Sequence, residues 1–237
     1  MSSSFKFKQF TIQQDRCAMK IGTDGVLLGA WVSLENKPQR ILDIGTGTGI
    51  IALQLAQRCE AEIIEAVEIN PDAFEQCVEN FENSPWENRL FCYHASIQEF
   101  AKESNKKQDL IITNPPFYSE NSKTKNEARD TARFTNALSF KKLIEVVSNL
   151  LSEEGVFALI LPKKEEEKFI ALALEFGLFP KRICRVQGTV TSEIKRSLLE
   201  FSFERIEPRI EHLTIEISRH NYTNSYISLV KDFYLKM

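Results

Sequence analysis

Apolar positions follow two periods along this chain. Short, nearly continuous apolar runs alternate with stretches in which apolar residues recur every three to four positions. The first period fits strands buried on both faces, and the second fits helices with one covered side. The pattern becomes regular at Arg40. It predicts strands at Arg40–Ile44, Ile63–Ile69, Leu90–His94, Leu110–Thr113 and Val156–Leu161. Between them it predicts helices at Ile50–Arg58, Pro71–Phe81, Ile97–Glu103, Phe140–Leu151 and Glu165–Phe176. Pro71 suits a first helical turn, where a missing N–H costs nothing. Strands that alternate with helices imply βαβ units and a mainly parallel sheet.

The two ends read differently. Phe5 to Ile12 alternates imperfectly and predicts a short strand or hairpin, and Thr23 or Asp24 can cap a helix entered at Gly25. Near the other end, Arg182–Gln187 and Ser197–Phe203 have no helix between them and predict an antiparallel edge pair. Leu213–Ile217 extends that edge, and Tyr222–Leu235 has helical spacing. Tyr118–Leu138 has many charges and few aliphatic residues; a loop this long inside a compact fold is usually functional or disordered. Three regions of one domain result: a cap segment (1–38), a core (39–205) and a C-terminal extension (206–237).

Composition narrows the function classes. The 237 residues carry 43% hydrophobic and 27% charged side chains and a formal net charge of -3, so no global basic signature for nucleic acid exists. Charge is uneven: residues 1–119 hold 11 Lys+Arg against 16 Asp+Glu, and residues 120–237 hold 19 against 17. The five cysteines are scattered without a CxxC pair and the three histidines are isolated, which argues against a disulfide frame and a metal centre. With no signal-like start and no apolar run near the roughly 18 residues that span a bilayer, the expectation is a soluble cytoplasmic protein without membrane contact.

Two loops carry candidate chemistry. Asp43-Ile44-Gly45-Thr46-Gly47-Thr48-Gly49 joins the first core strand to the first core helix. A phosphate-binding P-loop needs Lys-Ser/Thr after the last glycine, but Ile50-Ile51 follow. A dinucleotide loop needs its third glycine or alanine where Ile50 stands. The second loop is Asn114-Pro115-Pro116-Phe117, at the end of an apolar strand. Two prolines stop the strand and remove two N–H donors, so an amide, free carbonyls and an aromatic ring meet at the edge where α/β sheets bind ligands.

Asp-x-Gly-x-Gly-x-Gly resembles motif I of Rossmann-like S-adenosylmethionine methyltransferases, and Asn-Pro-Pro-Phe resembles motif IV of those that methylate an amino nitrogen. Further stretches resemble the bacterial valine-tRNA adenosine N6-methyltransferase family: Lys20 to Gly25, Glu68-Ile69-Asn70-Pro71, Asn80 with Ser84-Pro85-Trp86, Ala128-Arg129, and Lys195 to Phe201. The resemblance implies a class I α/β fold, with a seven-stranded mostly parallel sheet, an antiparallel edge strand and helices on both faces. It implies S-adenosyl-L-methionine as cofactor, a tRNA anticodon loop as partner, and neither a metal nor an obligate protein partner.

The same resemblance distributes roles. Asn114, Pro115 and Phe117 are the catalytic candidates. Lys20, Thr23, Asp24, Asp43, Gly45, Gly47, Glu68, Ser96, Ile97 and Asn114 are the cofactor candidates, with Asp43 at the amino end of the cofactor and Glu68 on the ribose hydroxyls. Ser96 serves equally as a helix cap. Pro116, Lys123, Arg129, Arg133, Lys195 and Arg196 are substrate candidates, and Lys125, Lys181, Arg182 and Arg185 are further cations; solvated surface charge is the competing reading. Lys163-Lys164 reads as helix-end charge. Phe134 stands where the family often has histidine. Competing functions are a protein glutamine N5-methyltransferase acting on release factors, another nucleic-acid adenine N6-methyltransferase, and a non-catalytic cofactor-binding subunit.

Overall fold

The apolar runs become the middle of a nine-stranded sheet in the computed structural model, which describes residues 4–115 and 139–237. Along the chain the elements are β1 (Ser4–Lys6), β2 (Thr11–Gln13), α1 (Thr23–Trp31), β3 (Arg40–Ile44), α2 (Ile50–Arg58), β4 (Ile63–Glu68), α3 (Pro71–Glu82), β5 (Leu90–His94), α4 (Ile97–Glu103) and β6 (Gln108–Thr113). After the undescribed residues come α5 (Phe140–Leu150), β7 (Leu151–Pro162), α6 (Glu166–Glu175), β8 (Phe179–Thr189), β9 (Ile194–Ser202), β10 (Arg209–Ser218), β11 (Asn221–Tyr222) and α7 (Asn224–Val230). The sheet order is β11-β10-β8-β9-β7-β6-β3-β4-β5, and β1 pairs only with β2.

Chain direction in this sheet creates the crevice that matters. From β3 the chain steps outward to β4 and β5, then returns to place β6 on the other side of β3. Connections therefore diverge between β3 and β6, and the C-terminal ends of those strands flank a topological switch point. Both faces of the sheet are covered. Ile41, Ile64, Leu110, Ile112, Ala158 and Ile160 join α1 and α2 on one side, while Leu42, Ile111, Phe157 and Leu159 join α5 and α6 on the other. Full burial of such a Leu, Ile or Phe side chain contributes about 1.5–3 kcal/mol. Double-sided burial is why these strands read as continuous apolar runs.

Several boundaries differ from the predicted ones. β6 and β7 begin earlier, at Gln108 and Leu151, because polar residues at the far sheet edge are part of the ladder: Gln108 is fully buried and donates from Nε2 to Glu65 Oε2 at 2.9 Å. The sheet has nine strands, two more than the seven expected. The antiparallel strand β9 lies inside it, between β7 and β8, because β10 adds in parallel beyond β8 and β11 closes that side. The helical spacing of Tyr222–Leu235 yields only Asn224–Val230, with Thr223 Oγ1 accepting from Tyr226 N–H at 3.2 Å. At α1 the N-cap is Gly22 and no side chain caps the helix, so neither Thr23 nor Asp24 has that role. Asp24 instead accepts from Arg196 Nε at 2.7 Å.

The two ends of the described chain meet. Lys8 Nζ donates to Lys231 O at 2.6 Å and Met237 O at 3.0 Å. Phe7 stacks on Tyr234 with ring centroids 5.8 Å apart. The hairpin β1–β2 is thereby held on the same side of the sheet as α1 and α7.

Candidate active site

β3 ends at Ile44 and the chain turns at once through three glycines, Gly45, Gly47 and Gly49, with φ of 68°, 57° and 82°. These left-handed angles penalise any Cβ. At Gly49 space is lacking too, since a Cβ would sit 2.6 Å from Phe81. At Gly45 and Gly47 a Cβ would meet nothing within 4 Å, so the loop presents bare backbone to an open cradle. Gly45 and Thr46 donate their N–H groups to Val67 O, which ties the loop to β4.

Two carboxylates support this loop. Asp43 is fully buried and accepts from Thr46 Oγ1 at 2.6 Å through Oδ2; among the described residues its Oδ1 has no partner. An unpaired buried carboxylate oxygen is costly, and a cationic group or a water on the cradle would relieve it. Burial pushes the Asp43 carboxyl up to about 7, against the opposing Thr46 hydrogen bond. Because the folded-state value lies above the ordinary 3.8, its contribution to stability is full below about pH 4 and lost as pH rises through about 7. Asp43→Asn removes this dependence. Urea melts of the donor-free chain should show the stability of wild type relative to the variant falling by up to about 1.4 kcal/mol per pH unit across that window. A constant difference would contradict a buried, protonatable Asp43.

Glu68 stands at the end of β4 and is 9% exposed. Its Oε2 accepts from Gly47 N–H and its Oε1 from Asn70 N–H, both at 2.9 Å. Each oxygen keeps a lone pair for a further donor, and the carboxylate plane is fixed from both sides. Ile69, 58% exposed, follows directly. His94 Nε2 lies 3.1 Å from Ile69 O, and the His94 ring stacks on Phe74 at 5.3 Å. An apolar shelf therefore adjoins a diol-sized carboxylate. Ser96 has its hydroxyl in a reciprocal capping box with Glu99, and Ile97 is buried in the core, so the structure favours the helix-cap role for Ser96.

Across the switch point, Thr113 Oγ1 donates to Ile44 O at 2.8 Å and holds the end of β6 to β3. Asn114 and Pro115 follow, both half-buried. A Cβ on Gly25 of α1 would lie 3.9 Å from Asn114 Nδ2 and 3.4 Å from Ile50 Cγ2. The amide nitrogen of Asn114 thus faces Gly25 of α1, beside Ile50, the first residue of α2. The structure brings together Asp43, Gly45, Gly47, Glu68, Asn114 and Pro115 on one sheet edge. Pro116, Phe117, Lys123, Lys125, Arg129, Arg133 and Phe134 lie outside the described residues.

The remaining candidates separate by partner. Lys20 Nζ donates to Gln14 O, and Thr23 is exposed. Arg196 lies opposite Pro162 on the same edge, and Lys195 beside it is exposed. Arg182 is occupied: it stacks on Trp31 at 4.1 Å and pairs with Glu200 and Glu211, each at 3.2 Å. Arg185 pairs with buried Glu166 at 2.8 Å. Arg182 and Arg185 are held in these internal pairs, as Arg196 is held by Asp24. Ile69 and His94 were not legible as site residues; no local pattern distinguishes them. Among the described residues no group of three His, Cys, Asp or Glu could hold a metal.

Comparison with known proteins agrees with this geometry. A family model described as "Methyltransferase small domain" matches residues 23–179. The chain is 61% identical over 235 residues to the tRNA1(Val) (adenine(37)-N6)-methyltransferase of Christiangramia forsetii, covering 98% of each chain. It is 58% identical to the protein of the same name from Flavobacterium psychrophilum, covering 98% of this chain and 100% of that one. Among solved structures, a predicted O-methyltransferase from Agrobacterium tumefaciens shares the fold with a TM-score of 0.69 at 18% identity, over 89% of this chain and 96% of that one.

Proposed function

Because the chain belongs to the tRNA1(Val) (adenine(37)-N6)-methyltransferase family, we infer that it transfers a methyl group from S-adenosyl-L-methionine to the exocyclic N6 of adenosine 37 in a valine tRNA. One observation carries this reading: Asn114 and Pro115 flank the same switch point as the glycine cradle and Glu68. A donor cradle and an amine-acceptor clamp face one crevice.

The donor supplies an electrophilic methyl group; this chain's residues do the rest. The cradle of Gly45 and Gly47 takes the amino-acid end, with Asp43 beneath it balancing positive charge. Glu68 accepts from the ribose hydroxyls, and the shelf of Ile69 takes the adenine. The acceptor nitrogen is conjugated with its ring and is a poor nucleophile. Asn114 Oδ1 and the Pro115 carbonyl each accept one of its N–H bonds, which draws the lone pair out of conjugation and toward the donor. Acceptors already in place need no reorganisation during reaction, and alignment of two bound reactants supplies much of the rate. Phe117 is the base-stacking candidate of the same motif. The target base is splayed from a single-stranded loop, which costs less than extraction from a duplex.

Lys195 and Arg196 lie two strands from Asn114 on this edge, about 10 Å away at ordinary strand spacing. We assign them to the tRNA backbone, together with the candidates Lys123, Arg129 and Arg133. A tRNA substrate supports a cytoplasmic site of action. Among the described residues no helix is long and apolar enough to cross a membrane.

The test is methyl transfer by the purified chain to a valine tRNA transcript, read by nucleoside mass spectrometry. N6-methyladenosine should form at position 37 and be absent when guanosine replaces that adenosine. Affinity for the transcript should fall steeply with salt, as phosphate contacts require. Transfer to release-factor glutamine with none to tRNA would overturn the reading.

A further inference from the structure

Residues 14–21 cross the catalytic edge of the sheet between two anchored ends, and a glutamine closes them on themselves. Gln14 is 7% exposed. Its Oε1 accepts from Ile21 N–H at 2.9 Å, and its carbonyl accepts from Lys20 Nζ. The preceding residue is clasped by Asn80, which is 2% exposed: Gln13 N–H donates to Asn80 Oδ1 at 2.7 Å, and Asn80 Nδ2 donates to Gln13 O at 2.9 Å. The same Nδ2 donates to Thr48 O at 2.8 Å, inside the glycine loop. Arg16 N–H donates to buried Gln76 Oε1 at 3.1 Å. At the far end the chain enters α1, where Gly25 lies against Asn114 and Ile50. The segment therefore starts on the cradle and finishes at the acceptor clamp.

Its exposure pattern is that of a strap. Cys17 is turned in and 5% exposed, whereas Ala18, Met19 and Lys20 face solvent. Burial, and next the Glu68 carboxylate, push the Cys17 thiol up to about 11.

We propose that Gln14 is a positioning residue whose two hydrogen bonds shape the 14–21 strap over the donor site, and that the closed strap slows escape of the S-adenosyl ligand. This rests on the donor site proposed above. The ligand class is an S-adenosyl nucleoside, so methyl donor and demethylated product are held alike. Gln14 touches neither the donor nor the acceptor base; it acts through the backbone of Ile21 and the ammonium of Lys20.

Calorimetry with S-adenosyl-L-homocysteine on the full chain, with steady-state kinetics in parallel, tests it. Loss of a hydrogen bond of this kind corresponds to a roughly three- to tenfold change. Gln14→Ala should raise Kd and the donor KM by that factor while kcat at saturating donor stays within about twofold. The Lys20 bond, made to the main-chain carbonyl, stays in every variant; Gln14→Glu keeps an acceptor for Ile21 N–H and should restore Kd to near wild type. Unchanged Kd in Gln14→Ala, with Glu68→Ala weakened, overturns the strap and leaves the donor site standing. Unchanged Kd in both overturns the donor site as well. Should Gln14→Ala fail to fold, hydrogen exchange on the wild type decides: amides 15–22 should gain protection with the ligand, and no gain overturns the proposal.

Discussion

Asn114→Ala leaves the enzyme able to bind its donor and unable to transfer the methyl group. The expected loss in kcat is roughly 10³-fold, the upper range for removing one preorganised polar group that acts on the reacting atoms. The donor Kd should change less than about threefold, since Glu68 and the glycine cradle, not Asn114, carry most of the donor's polar contacts. The structure makes this separation sharp. Asn114 extends from β6, its amide nitrogen faces Gly25, and Thr113 holds the strand end to β3 through Ile44 O. Removing the amide leaves that support intact, so the fold and the cradle are unaffected. Asn114→Asp is the informative partner: it keeps an acceptor oxygen, and should recover part of the rate. Equal loss of donor affinity and kcat in Asn114→Ala would contradict the clamp.

Glu68→Ala has the opposite signature. The donor Kd should rise by about two orders of magnitude, from loss of charge-assisted hydrogen bonds worth about 1.5–3 kcal/mol in total. The effect has two sources. Direct acceptance from the ribose is lost. Gly47 N–H and Asn70 N–H also lose the oxygens that accept from them, so the cradle loses its brace and the first turn of α3 loses a tie. Glu68→Gln retains a single acceptor oxygen and should fall between the two. Calorimetry on all three chains measures this; an unchanged Kd in Glu68→Ala removes Glu68 from the donor site.

Legibility in the sequence followed the range of the interactions. Arg40–Ile44, Ile50–Arg58, Leu90–His94 and Ile97–Glu103 match the structure to the residue; Gly45 and Ser104 end the first and last of them, and Gly49 and Ser96 precede the two helices. The cradle and Asn114-Pro115 were legible because backbone conformation there depends on glycine and proline. β10 was only partly legible: Leu213 is buried, but Ile210 and Ile217 are exposed, so the edge strand lacks a clean alternation. Long-range polar pairs left no local trace. Asn80 reaches Gln13 across 67 positions and Arg182 reaches Glu211 across 29. A charged residue's partner is set by the fold: Arg182, Arg185 and Arg196 are each ion-paired, while Lys195 is exposed, and nothing in the sequence separates the four.

The clasp between Lys8 and the carbonyls of Lys231 and Met237 spans more than 220 positions, and it sets an order in time. During synthesis the hairpin emerges long before residues 231–237, which supply its packing partners. The parallel core can assemble while the chain is still being made, since domains gain structure as they leave the ribosome. The hairpin gains its Lys8 and Phe7 contacts only when residues 231–237 have been made. The outer support of the hairpin is thus acquired late, whereas the clasp of Asn80 and Gln76 on residues 13–16 is available as soon as α3 has formed.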